Sequence, residues 1–84
     1  MSQIEKLIDR LLTVPADFSW DELVRVLSAF GYVERPSSGS HRRFFNPQSK
    51  KVIIGLVRPH YPRKDVGRGY LRKVIEHLGL RQDS

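Results

Sequence analysis

Apolar residues in this chain keep a helical period as far as Phe30, lose it between Tyr32 and Arg58, and regain it from Tyr70. Segments of period 3.6 do not sit as strands, so the pattern dictates helices on either side of a stretch of short extended segments. The first stripe is Ile4, Leu7, Ile8, Leu11 and Leu12, opened by Ser2 with Glu5 three residues on and bounded by Pro15. That serine and glutamate have capping-box spacing. The second helix is more firmly punctuated. Ser19 is its predicted cap, Glu22 returns the bond, Phe18 is placed to staple onto Leu23, and Trp20, Leu23, Val24, Leu27 and Phe30 form the stripe. Gly31 stands where a left-handed residue ends a helix.

Three strands are predicted next: Tyr32 to Arg35, Ser40 to Asn46, and Lys51 to Arg58. They are separated by the turn-rich runs Pro36-Ser37-Ser38-Gly39 and Asn46-Pro47-Gln48-Ser49. Connections this short make an antiparallel meander, because parallel strands need crossover helices. Tyr70, Leu71, Val74, Ile75 and Leu78 mark a last helix ending at Gly79. The expected fold is α+β in the order α-α-β-β-β-α, with the helices covering one face of a three-stranded antiparallel sheet and the other face open. Along the second strand, alternation sets Ser40, Arg42 and Phe44 on one side and His41, Arg43 and Phe45 on the other. If Phe44 faces the helices, His41 does not.

At 84 residues the chain fits a single domain, 1–84, with no room for an enclosed cofactor site, and no cofactor is expected. The absence of Cys removes disulfides and thiolate metal sites and suits a reducing compartment, so the cytoplasm is the expected location. No apolar run approaches a membrane span, and Glu5, Lys6, Asp9 and Arg10 stand where a signal peptide would be apolar. Charge is segregated. Residues 1–34 hold three Lys and Arg against six Asp and Glu, a net of −3, whereas residues 35–84 hold twelve against three, a net of +9. A concentrated positive field draws a polyanion and gains from counterion release, which points to nucleic acid. An acidic protein partner is the other reading of the same charge.

A histidine on an open sheet face beside Arg43 and Phe45 combines an acid/base group, a phosphate binder and an aromatic surface for stacking a base. His41 is thus the candidate general base or acid for attack by a ribose 2′-hydroxyl on the adjacent phosphate, chemistry that requires no metal. Gly39 and Ser40 before it allow close backbone approach to a phosphate. Arg42, Arg43 and Lys51 are the predicted phosphate contacts nearby, with Arg58, Arg63, Lys64 and Arg68 extending the track. His60 reads as a loop histidine or an assisting acid, and His77 as a surface residue near a helix C-terminus. Three His without Cys give no metal spacing, Gly67-Arg68-Gly69 is too short for a phosphate loop, and Ser37, Ser38 and Ser40 lack an acidic orienter for hydrolase chemistry.

From about Asp21 to Leu80 the chain resembles the HicA toxin family, small ribonucleases of toxin–antitoxin pairs with a double-stranded-RNA-binding-like fold. The resemblance rests on several features: the helix ending in Gly31, Gly39-Ser40-His41, Phe44, Pro59-His60, and Gly69-Tyr70-Leu71-Arg72-Lys73-Val74-Ile75. It implies that residues 19–80 form the family core, that 1–14 are a helical extension, and that His41 is the catalytic residue of an endoribonuclease acting on mRNA. It also implies a HicB-type antitoxin as partner in a hetero-oligomer. Two readings from other classes stand beside it: a non-catalytic RNA-binding module, which has no need of His41, and a protein-interaction domain.

Overall fold

The computed structural model describes residues 3–37, 39, 41–60 and 62–80. Its elements are α1 (Gln3–Leu12), α2 (Trp20–Ala29), β1 (Val33–Pro36), β2 (His41–Phe45), β3 (Val52–Val57) and α3 (Arg68–Leu78), the expected α+β order. The proposed cap Ser2 lies outside the described residues, as does Ser40.

Local chemistry accounts for the ends of α2. The Ser19 hydroxyl accepts the Glu22 N–H at 3.2 Å, and the Glu22 carboxylate accepts the Ser19 N–H at 2.9 Å, so two of the helix's unsatisfied donors are met reciprocally. At the other end Gly31 adopts φ +88, which lets Tyr32 N–H reach Leu27 C=O and Gly31 N–H reach Ser28 C=O. This is a Schellman closure, and it turns the chain directly into β1. The last helix closes in the same way around Gly79.

The sheet runs β1-β2-β3, antiparallel throughout, with β2 central. Phe44 of β2 is buried and tilts against Trp20 of α2, with ring centroids 5.8 Å apart. Ile53 and Leu56 of β3 point the same way and join Leu11, Phe18, Leu23, Leu27, Leu71 and Val74 in one core. All three helices therefore contribute to the layer on one face. Asn46 fastens the β2–β3 turn to this layer: its Nδ2 donates to Phe30 C=O at 3.0 Å while its Oδ1 accepts the Gln48 and Ser49 N–H groups.

The α1 stripe is used. Leu11 is fully buried, and Leu7 and Ile8 pack half-buried beside it. Arg10 clamps α1 to the start of α2, donating to Glu22 Oε2 at 2.7 Å and to Asp17 Oδ1 at 3.0 Å, with its guanidinium 5.2 Å from the centre of the Phe18 ring. Burial pushes the Glu22 carboxyl up, but the Ser19 N–H and Arg10 outweigh it and hold the group below its ordinary value.

Leu11→Ala should lower stability by about 2–5 kcal/mol, the usual cost of emptying a fully buried leucine site, measured by urea unfolding. The clamp adds a pH dependence of definite sign. Because Glu22 is depressed in the folded state, its contribution is complete above the ordinary carboxylate range and is lost as pH falls through the lower folded value. Melting temperatures taken from pH 6 downward should fall for the wild type and fall less steeply for Glu22→Gln.

Candidate active site and nucleic-acid interface

The burial of Phe44 decides the site. With Phe44 turned to the helices, His41 and Arg43 emerge exposed on the opposite face, and Phe45 lies half-buried there. Arg43 is paired in register with Arg35 of β1, and the two arginines, Phe45 and Val52 line a shallow depression of about 370 Å³. The same face carries the large exposed apolar side chains Val33, Val52 and Ile54, the last 61% exposed. The β1–β2 connection carries Gly39 at φ +55 and is tied off by a Ser37 N–H to His41 C=O bond.

The register of β3 slips by one residue opposite Arg43. Arg42 pairs with Leu56, but Phe44 pairs with Ile53, so Ile54 and Gly55 together oppose a single residue. Gly55 sits at φ +81, the conformation such a bulge needs. The extra residue lets Ile53 and Leu56 both face the core and turns Val57 to the open face, directly opposite His41. The strand expected over Lys51 to Arg58 is thus present as Val52–Val57, with this irregularity inside it. The glycine inside the apolar run Val52–Val57 is the signal that marks the bulge.

The predicted phosphate contacts separate into four places. Arg43 shares the face of His41. Arg42 takes the helix-facing side with Phe44: its Nε is buried with no hydrogen bond among the described residues, and Glu34 Oε2 lies 3.6 Å away as its counter-charge. Lys51 lies opposite Asn46, at the far end of the hairpin. Five residues of strand, about 17 Å, separate that position from His41. Lys51 is instead grouped with Val52, Lys73, Glu76 and His77 at the β3–α3 edge. Arg58, Arg63, Lys64 and Arg68 surround the β3–α3 loop together with His60, and these five residues are exposed.

Residues 20–80 match the family model described as HicA toxin of bacterial toxin–antitoxin, more than two thirds of the chain. The chain belongs to the HicA toxin family. It is the toxin type of a toxin–antitoxin pair, and the family implies an antitoxin partner. No curated protein and no solved structure matches the chain. The HicA match includes His41, the bulged strand and the basic loop, and begins at the first residue of α2. Among the described residues no helix is long and apolar enough to cross a membrane, and no three His, Asp or Glu side chains converge as a metal site would require.

The bulge predicts a specific sensitivity. A Cβ on Gly55 would come within 2.8 Å of Lys73 Nζ, a flexible group that moves away cheaply, whereas a left-handed φ on alanine cannot be relieved. Gly55→Ala should therefore cost about 1–3 kcal/mol in thermal unfolding, and adding Lys73→Ala should recover little of it.

Proposed function

We propose that this HicA-family toxin is a metal-independent endoribonuclease that cuts mRNA, with His41 as the general base or acid and a HicB-type antitoxin as its partner. The observation that carries the reading is the position of His41: exposed on the open sheet face, one alternation from Arg43, in a chain whose family match spans it. In the proposed reaction His41 accepts the proton of a ribose 2′-hydroxyl, and the freed oxygen attacks the adjacent phosphorus. The bond to the 5′-oxygen breaks, and that oxygen takes a proton from a second group or water. The products are a 2′,3′-cyclic phosphate and a 5′-hydroxyl. Arg43 holds the phosphate, Gly39 and Ser40 bring backbone close to it, and Phe45 offers an aromatic surface. Arg42 enters this scheme only after release from Glu34, and Lys51 contacts RNA well away from the cut. The antitoxin silences the enzyme by covering the same face, where Val33, Val52 and Ile54 offer apolar area of the kind a protein interface buries. These assignments place the enzyme in the cytoplasm with its mRNA substrate.

His41→Ala should keep the fold, because an exposed side chain supports little packing, and should keep RNA affinity within a few-fold. Cleavage and growth arrest should fall by about 10² to 10⁴, the usual cost of losing a general acid or base. Wild-type cleavage should survive excess chelator and leave cyclic phosphate ends, read by mass spectrometry of the products. Equal cleavage by His41→Ala transfers the role to His60. Binding without cleavage by either protein leaves a non-catalytic RNA-binding module.

RNA affinity should also fall steeply with salt, and Arg43→Ala should reduce the slope of log affinity against log salt by about 0.7, one phosphate contact on a single strand. Salt-independent affinity, or none at low salt, would remove RNA as the partner.

A further inference from the structure

The β3–α3 loop builds a groove of about 790 Å³ whose walls carry Arg58, His60, Arg63, Lys64, Arg68 and the half-buried ring of Tyr70, with Asp65 as its one carboxylate among the described residues. Backbone hydrogen bonds hold the loop at Arg63, Lys64 and Val66. Trp20 N–H donates to Lys64 C=O at 3.0 Å, Val66 N–H donates to Phe18 C=O at 2.8 Å, and Arg63 N–H closes a turn onto His60 C=O at 2.7 Å. Val66 is buried in the core just below. The loop is thus fastened to the start of α2, and its basic side chains are left directed outward.

The groove is continuous with the proposed cleavage site. Val57, which lines it, is the residue paired with His41 across β2 and β3, and Arg58-Pro59-His60 lead from that pair into the groove. Antiparallel partners lie about 4.5–5.5 Å apart, less than the spacing of successive phosphates along an extended strand.

From this placement we infer that the groove is a subsite for single-stranded RNA, holding nucleotides on one side of the phosphate presented to His41. Arg58 and Arg68 neutralise successive phosphates, and Tyr70 stacks a base. The inference rests on the RNA reading of the His41 site and adds to it a substrate class: the enzyme engages an extended single strand several nucleotides long, not an isolated phosphodiester. A second subsite also accounts for cations clustered in the β3–α3 loop in addition to Arg43 and Arg35 on the open face.

The test uses the full chain and 2′-O-methyl oligouridines of three, six and nine nucleotides, which cannot be cut because the attacking oxygen is blocked. Affinity is read by fluorescence anisotropy over a salt series. Wild-type affinity should climb with length. Arg58→Ala with Arg68→Ala should abolish most of that gain and lower the salt slope by about 1.4, two phosphates on a single strand. Tyr70→Leu should weaken nonamer binding by about five-fold or more, and Tyr70→Phe should restore it. The control is Lys6→Ala with Arg25→Ala, which removes the same charge from exposed positions of α1 and α2. Melting curves confirm that each variant is folded.

A length gain that survives in the groove variant, or that falls equally in the control, overturns the inference. So does a groove variant that loses antitoxin binding while keeping its RNA length gain. Because the probes cannot be cleaved, the outcome is independent of catalysis. Loss of the length gain in a protein that cuts no RNA would sink the ribonuclease reading and leave the groove standing. Cleavage by His41 with no groove dependence would sink the groove alone.

Discussion

The contact between Phe44 and Trp20 is the interaction from which the rest of the molecule takes its orientation. A strand has two faces, and whichever face buries its aromatic commits every alternate residue to solvent. With Phe44 held in the core against α2, Arg42 is carried inward to Glu34 while His41 and Arg43 are presented outward. The chemistry proposed for His41 therefore depends on a packing choice made three residues away. A one-residue slip of β2 would bury the histidine and expose the phenylalanine.

That choice is reinforced at both ends of the hairpin. Asn46 ties the β2–β3 turn to the C-terminal carbonyl of α2, and the Ser19–Asp65 bridge ties the β3–α3 loop to its N-terminus. A single helix of ten residues thereby holds the far end of the hairpin, the central strand and the basic loop in one frame. A frame held at several points keeps the proposed reacting groups in one geometry, which lowers the cost of orienting a substrate on them.

Much of this was legible in the amino-acid order because its causes are local. Ser19 with Glu22, Phe18 before them and Gly31 after mark the ends of α2 through hydrogen bonds spanning only a few residues. The alternation around Phe44 likewise follows from strand geometry once the strand is found. The features that escaped depend on residues far apart. Whether Lys51 lies near His41 is decided by the register of β2 on β3, and strand spacing places it at the opposite end. The bulge at Gly55 shows in the sequence only as one glycine within an apolar run. Arg10 meets Glu22 across two helices, and periodicity carries no information about that meeting. The basic groove exists only because Trp20 and Phe18 supply backbone partners to a loop more than forty residues later.

The segregation of charge has a structural counterpart. In the acidic N-terminal part, Arg10 is absorbed by Asp17 and Glu22, so charge there serves to join α1 to α2. In the basic part, among the described residues, Arg42 is the one arginine or lysine in an ion pair with a carboxylate. The remaining cations therefore contribute little to holding the fold, and their mutual repulsion in a small domain is a cost. A polyanion laid across β2 and the β3–α3 loop would offset that cost. An antitoxin with carboxylates over the same surface would do likewise, and with Val33, Val52 and Ile54 to bury it would also gain apolar contact that RNA cannot supply. On the proposed reading, RNA and antitoxin would compete for one electrostatic surface, and the exposed valines and isoleucine of the open sheet would favour the protein.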